Sequence, residues 1–235
     1  MGARLSVALP GPTTPTTPTA EATEAPRVGV LALQGDVREH LEALEALDAP
    51  GFEVRTLAQL DAADGLIVPG GESTTIARLL LAFELHEPLR AAIAAGLPVW
   101  GTCAGAILLA KRAPGLDRPT LGLLDVTAER NAFGRQVDSF EADLAVAGLA
   151  GGSAGGVMRA VFIRAPRLRD PGPDVEVLAS LPDGSIAACR EGRMLATAFH
   201  PELTDDRRLH AYFLEMVAEA RAARAGPGAR NAAGG

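Results

Sequence analysis

Only two of the 235 residues are cysteine, Cys103 and Cys189. So small a number excludes a disulfide framework and suits a reducing cytosol. Aromatic residues make up just 4% of the chain, too few for the stacking platforms that single-stranded nucleic acids need. Positive charge is short as well: 22 Lys and Arg against 29 Asp and Glu leave a net charge of −7. That balance argues against a phosphate-binding surface, and hence against nucleic acid as a partner. Neither Walker nor Gly-x-Gly-x-x-Gly spacing occurs, so the Gly-rich segments are not nucleotide loops. One segment lacks charge altogether: between Arg90 and Lys111 run about 20 uncharged residues, long enough to span a bilayer. Gly96, Pro98, Gly101 and Gly105 interrupt it and make it a poor membrane helix, so no membrane partner is expected. What is present, 48% hydrophobic and 22% charged residues, is the composition of a globule with a substantial core.

The ends differ from the middle. Residues 1–26, with the run PGPTTPTTPTAEATEAP, and residues 223–235, closing on AGPGARNAAGG, are poor in large apolar side chains. Both are expected to be disordered, an N-terminal extension and a C-terminal tail around one domain at 27–222. Within that domain strand-like and helix-like segments alternate. RVGVLAL reads as a strand, and Val37, Leu41, Leu44 and Leu47 recur at helical spacing after it. GFEVRTL, GLIVPGG and LPVWGTC read as further strands, TTIARLLLAFEL and EPLRAAIAAG as helices. The alternation implies an α/β fold, a mostly parallel sheet with helices on both faces. Residues 122–199 are richer in short strands and turns, and DDRRLHAYFLEMVAEARAARA reads as a closing helix.

Cys103 falls where the strand LPVWGTC meets the helix that begins at Ala104. In α/β sheets that edge is where ligands bind. Gly101, Ala104 and Gly105 supply the small neighbours of a sharp turn, the thiol counterpart of a nucleophile elbow. The helix start beside the sulfur stabilises negative charge there. The other reading of Cys103 is a buried structural cysteine. A nucleophile needs a base, and the base an orienter. His40 and His210 lie in charged amphipathic helices and His86 between helices, which suggests surface or satisfied residues. His200 instead ends an apolar strand in His-Pro-Glu, and an extended chain would put Glu202 on its side. The backbone N–H groups of VPGGEST, residues 68–74, offer an oxyanion hole, while Ser73 or Thr74 can cap the next helix.

Taken together, GVLALQGDVREH, GLIVPGGESTTIARLL, WGTCAGAILLAK, LGLLDVTAERNAFGRQVDSFEADL, VFIRAPR and AFHPELTDD resemble the class I glutamine amidotransferases. Among these they are most similar to the glutaminase subunits of pyridoxal 5′-phosphate synthases, from about Arg27 to Ala220. The resemblance implies a three-layer, flavodoxin-like sandwich and a Cys-His-Glu triad, Cys103, His200 and Glu202. It also implies L-glutamine contacts at Gly71, Glu72, Ser73, Arg130, Ile163 and Arg164, with Gly71 and Ala104 as oxyanion donors. No cofactor and no metal is implied. The implied partner is a synthase subunit, to which the ammonia would pass. The N-terminal extension departs from the family pattern, as does Ala106, where a bulkier apolar residue is usual. Two other readings stand beside this one: a glutaminase subunit of another pathway, and a catalytically silent regulatory α/β subunit.

Overall fold

The computed structural model describes residues 25–130, 139–149 and 156–225. The expectations for residues 1–24, for 226–235 and for residues 131–136 of ERNAFGRQ lie outside them; residues 223–225, expected to open the disordered tail, instead close the last helix.

The chain opens with β1 (Val28–Leu31), α1 (Val37–Glu45), β2 (Phe52–Val54), α2 (Leu57–Asp61) and β3 (Gly65–Val68). There follow α3 (Ser73–Ala82), α4 (His86–Ala94), β4 (Val99–Thr102) and α5 (Ala104–Leu109). A strand-rich stretch holds β5 (Ala110–Arg112), β6 (Leu124–Glu129), β7 (Ser139–Ala145), β8 (Val157–Ile163) and β9 (Arg167–Arg169). It continues with β10 (Glu176–Ser180), β11 (Ile186–Glu191) and β12 (Met194–Thr197). A 3₁₀ turn at Pro201–Leu203 and the helix α6 (Arg208–Ala225) complete the chain.

The main sheet runs β2-β1-β3-β4-β12-β11-β9-β6-β5, with β10 on β11. From β2 to β12 every pairing is parallel, whereas β11 pairs antiparallel with β9, β10 and β12. β7 and β8 form a separate antiparallel hairpin. The expected parallel sheet therefore fills one half of the fold and mixed pairing the other. The central strands β1, β3 and β4 are buried along their whole length, as their unbroken apolar runs require.

Helices cover both faces, which successive residues of β4 demonstrate. Trp100 packs its ring against His210 and Phe213 of α6, whereas a Cβ on Gly101 would strike the backbone of Gly105 in α5. Adjacent strand residues point to opposite faces, so α1 and α6 lie on one side and α5 on the other.

Two local expectations are revised. GFEVRTL is a strand only as far as Val54. Thr56 then caps α2 through a capping box with Gln59, a helix that the β-rich run concealed. In α1 the fully buried residues are His40, Ala43 and Leu44, while Val37 and Leu41 pack half-buried against the same core, so the inward face takes in a histidine beside the expected apolar spacing. His210 of α6 gives His40 a buried partner.

Candidate active site

Four parallel strands, β1, β3, β4 and β12, bring their carboxyl ends together on one edge of the sheet. β2 and β3 flank β1 on opposite sides, so the strand order reverses at β1, the position where open α/β sheets bind ligands. The segments leaving these strands carry Gln34 to Asp36, Gly70 to Ser73, Cys103, and His200 to Glu202.

Cys103 sits between β4 and α5 with φ 45° and ψ −99°, a backbone conformation that a residue with a Cβ rarely adopts. Such a position costs about 1–3 kcal/mol and persists only where its surroundings fix it. Here the Cys103 N–H donates to the Thr197 carbonyl at 2.8 Å. The turn is closed by Gly105, where a Cβ would lie 2.0 Å from the Val68 carbonyl oxygen. The sulfur is 3.9 Å from the Ile163 carbonyl oxygen. The elbow expected from the sequence is present.

His200 is held by its N–H to the Val161 carbonyl of β8 at 2.9 Å and lies buried. Its Nδ1 is 2.8 Å from Glu202 Oε1 and 3.3 Å from Asp36 Oδ2. Burial disfavours a charged ring, but hydrogen bonds to Asp36, Cys103 and Glu202, with the charge of the sulfur, outweigh it and raise the His200 pKa to about 12. With Nδ1 turned to the carboxylates, Nε2 is left for the thiol. The His-Pro-Glu spacing works through a 3₁₀ turn and not through an extended strand. Pro201 begins that turn, and the turn brings Glu202 back under the ring. Glu202 is itself buried, and burial raises its carboxyl against the opposing pull of His200. Gly70 leaves the space for the imidazole: a Cβ there would lie 2.4 Å from His200 Cε1.

In front of the thiol opens a cleft of ≈ 290 Å³, near the lower end of small-ligand pockets. Cys103, Ala104 and His200 line it together with Gly71, Glu72, Ser73, Arg130, Ile163 and Arg164. Every residue expected at the site is therefore on the cleft except Glu202, which stands behind His200. Arg130 reaches back to Glu72 Oε1 at 3.1 Å, and the same oxygen accepts the Thr74 N–H at 3.3 Å. Glu72, not Ser73 or Thr74, is thus the N-cap of α3, and Ser73 is buried as its first residue.

Three members of the site were not anticipated. Gln34 accepts the Glu72 N–H at 2.8 Å and fixes the Gly-Gly turn. Asp36 adds a second carboxylate to His200. Leu203 closes the rim of the cleft and is 42% exposed, an apolar edge beside the thiol. The signal for Gln34 and Asp36 was their place just after the first strand, although QGD alone carries no chemistry. Asp36, His200 and Glu202 place ligand atoms within 4.8 Å of one another. The Nδ1 proton donated to Glu202 occupies the lone pair that a metal would take.

Residues 30–219 match the model of the SNO glutamine amidotransferase family. The chain belongs to that family. It is 60% identical over 201 residues to the pyridoxal 5′-phosphate synthase subunit PdxT of Acidothermus cellulolyticus, covering 82% of this chain and 94% of that one. It is 58% identical over 191 residues to the subunit of the same name from Roseiflexus castenholzii, with 80% and 99% covered. Among solved structures, one crystal structure of a glutamine amidotransferase is 52% identical, with a TM-score of 0.75 over 81% of this chain and 98% of that one. A putative GMP synthase protein from Thermoplasma acidophilum shares the fold at 17% identity, with a TM-score of 0.62 and 86% and 99% covered. The fold of the family is thus the class I glutamine amidotransferase α/β sandwich.

No helix among the described residues is long and apolar enough to cross a membrane. The second thiol, Cys189 on β11, is free and buried, and burial together with the charge of Glu191 pushes it up to about 12. A thiol so placed is inert. His86, like His40 and His210, is buried and bonded, to Glu87 and to the Thr120 carbonyl, so none of the three lies on the surface.

Proposed function

We infer that the protein is the glutaminase subunit of a pyridoxal 5′-phosphate synthase: it hydrolyses L-glutamine to L-glutamate and ammonia and delivers the ammonia to a synthase subunit. The observation that carries this reading is the buried Glu202–His200 pair set against a thiol at a strained strand-to-helix turn, in a chain of this family.

In the reaction, Cys103 Sγ, its proton passed to His200, attacks the side-chain amide carbon of glutamine. A tetrahedral intermediate forms, its oxyanion facing the backbone N–H groups of Gly71 and Ala104. His200 gives its proton to the leaving nitrogen, the C–N bond breaks, and ammonia departs from a glutamyl thioester. Water, deprotonated by His200, then cleaves the thioester, releasing glutamate and restoring the thiolate–imidazolium pair. Glu202 holds Nδ1 and stabilises the imidazolium. At the other end of the substrate the Glu72–Arg130 pair offers each charge of an amino acid its opposite, the guanidinium for the α-carboxylate and the carboxylate for the α-ammonium. Ser73, Ile163 and Arg164 complete the binding cleft.

The catalytic domain comprises residues 27–222 in this reading. Two free thiols, both buried, fit a reducing compartment, which we take to be the cytoplasm. The test is glutamate release by Cys103→Ala and Cys189→Ala, each with a synthase subunit present. The first is expected to be inactive with an unchanged melting temperature and the second to match the parent. Ordinary turnover by Cys103→Ala overturns the assignment.

A further inference from the structure

Behind the triad lies a polar cluster that the hydrolysis above does not use. His40 of α1 and His210 of α6 are both fully buried, with His40 Nδ1 3.0 Å from His210 Nε2. The other nitrogen of His40, Nε2, lies 3.4 Å from Glu202 Oε2 and 3.3 Å from the Thr102 hydroxyl. Among the described residues Glu202 Oε2 has no well-aligned hydrogen bond, His40 Nε2 being its nearby nitrogen, whereas Oε1 is engaged by His200. A buried carboxylate oxygen in that condition is costly unless a donor is turned towards it.

The proton positions follow from counting. A neutral imidazole carries one N–H. If His40 Nδ1 held the proton and donated it to His210, the lone pair of His40 Nε2 would face the Glu202 carboxylate. His210 would then carry a buried N–H at Nδ1, an atom with no partner. In the opposite arrangement His210 Nε2–H donates to His40 Nδ1, and His40 Nε2–H points between the Thr102 hydroxyl, its hydrogen-bond partner at 3.3 Å, and Glu202 Oε2 at 3.4 Å. The atoms then short of a hydrogen bond, His210 Nδ1 and Glu202 Oε2, are both acceptors, and orphaned buried N–H groups are the rarer defect. Burial, with the nearby His210 and His200, keeps His40 well below its ordinary value and therefore neutral.

We propose that His40 is a positioning residue for Glu202: its Nε2–H holds one carboxylate oxygen so that the other stays ionised and aimed at His200, and His210 fixes the tautomer of His40. A histidine whose second nitrogen is pinned by a neighbour presents its first in one protonation state, the logic of outer-shell partners in other sites. The groups facing Glu202 are few. They are His200 on its own turn, Asp36 at the N-cap of α1 and His40 within it; Thr102 of β4 and His210 of α6 contact His40, and Arg207, just before α6, acts on His210.

The proposal rests on the triad reading, and its test separates the two, because Cys103→Ala decides the triad and the following variants leave Cys103 and His200 in place. His40→Gln puts an amide N–H where Nε2 stands; His40→Leu removes the donor. In the full chain with its synthase partner, His40→Leu is expected to lower kcat by about tenfold or more with little change in KM. The acid limb of its kcat/KM profile is expected to move to higher pH by about half a unit, because the carboxylate loses a donor. His40→Gln is expected to restore most of kcat and the parental limb. A folded His40→Leu with parental kcat and limb overturns the proposal, as does equal impairment of both variants. If His40→Leu does not melt cooperatively, long-range ¹H–¹⁵N spectra of the labelled parent decide: a proton on Nε2 of both His40 and His210 supports the relay, and a proton on His40 Nδ1 overturns it.

Discussion

At the scale of single residues, the site depends on a few side chains whose positions are over-determined. His200 receives two carboxylates on one nitrogen, and this asymmetry makes a prediction. His200→Ala is expected to lower kcat by about 10²–10⁴-fold. Glu202→Gln is expected to lose less, because the amide still fills the buried position and Asp36, 3.3 Å from Nδ1, continues to stabilise the imidazolium. Glutamate release measured at saturating glutamine checks both, and equal losses would show that Glu202 is not the orienter. Cys103, His200 and Glu202 were legible because each sits in a local pattern whose chemistry is specific: a thiol between small residues, and His-Pro-Glu after an apolar strand. Asp36 and His40 were not, because their partners lie more than a hundred residues away and only the sheet order brings them together.

Elements carry the next layer. α1 and α6 look like ordinary charged amphipathic helices in sequence, yet they bury an imidazole each and join them. Burial lowers His40 well below 6.5 and, helped by Arg207, lowers His210 to about 3. Below pH 6.5 the unfolded chain therefore takes up protons that the folded chain refuses, so this pair withdraws stability as pH falls from 6.5 towards 3. His210 contributes a slope of about 1.4 kcal/mol per pH unit in that window, and His40 acts in the same direction. Glu202, with its raised carboxyl, works in the opposite direction. The comparison of parent with His210→Phe isolates the histidine: urea midpoints between pH 7 and pH 5 are expected to fall less steeply in the variant. Parallel slopes would mean that His210 is protonated in the fold. The strand and helix alternation itself was readable up to Cys103, where apolar runs are long and punctuated by glycine. α2 was hidden because a five-residue helix follows β-branched and aromatic residues directly, and its Thr56–Gln59 box was the only mark.

For the whole molecule, the parallel half of the sheet collects the site and the mixed half supports it, with Ile163 and Arg164 at the end of β8 reaching the cleft. Which strands pair antiparallel was not legible, since β9 and β12 have three and four residues and short segments leave pairing to tertiary contacts. The family match begins at residue 30, beyond the Pro- and Thr-rich extension. Deleting residues 1–24 is accordingly expected to leave glutamate release and the melting temperature nearly unchanged, as thermal melts and steady-state kinetics would show. A fall of several degrees would mean that the extension packs on the domain. Trp100 is the only tryptophan in the chain, and it lies fully buried with its ring edge-on to His210 and His40 at 4.9 and 5.7 Å. An indole in that place is a built-in optical probe. Its emission wavelength reports whether water has entered between α1, α6 and the sheet, and its intensity reports whether either neighbouring imidazole has gained a proton, since imidazolium quenches indole fluorescence. The electrostatic state of the layer beneath the reacting thiol can thus be followed in solution, during turnover, with no label added.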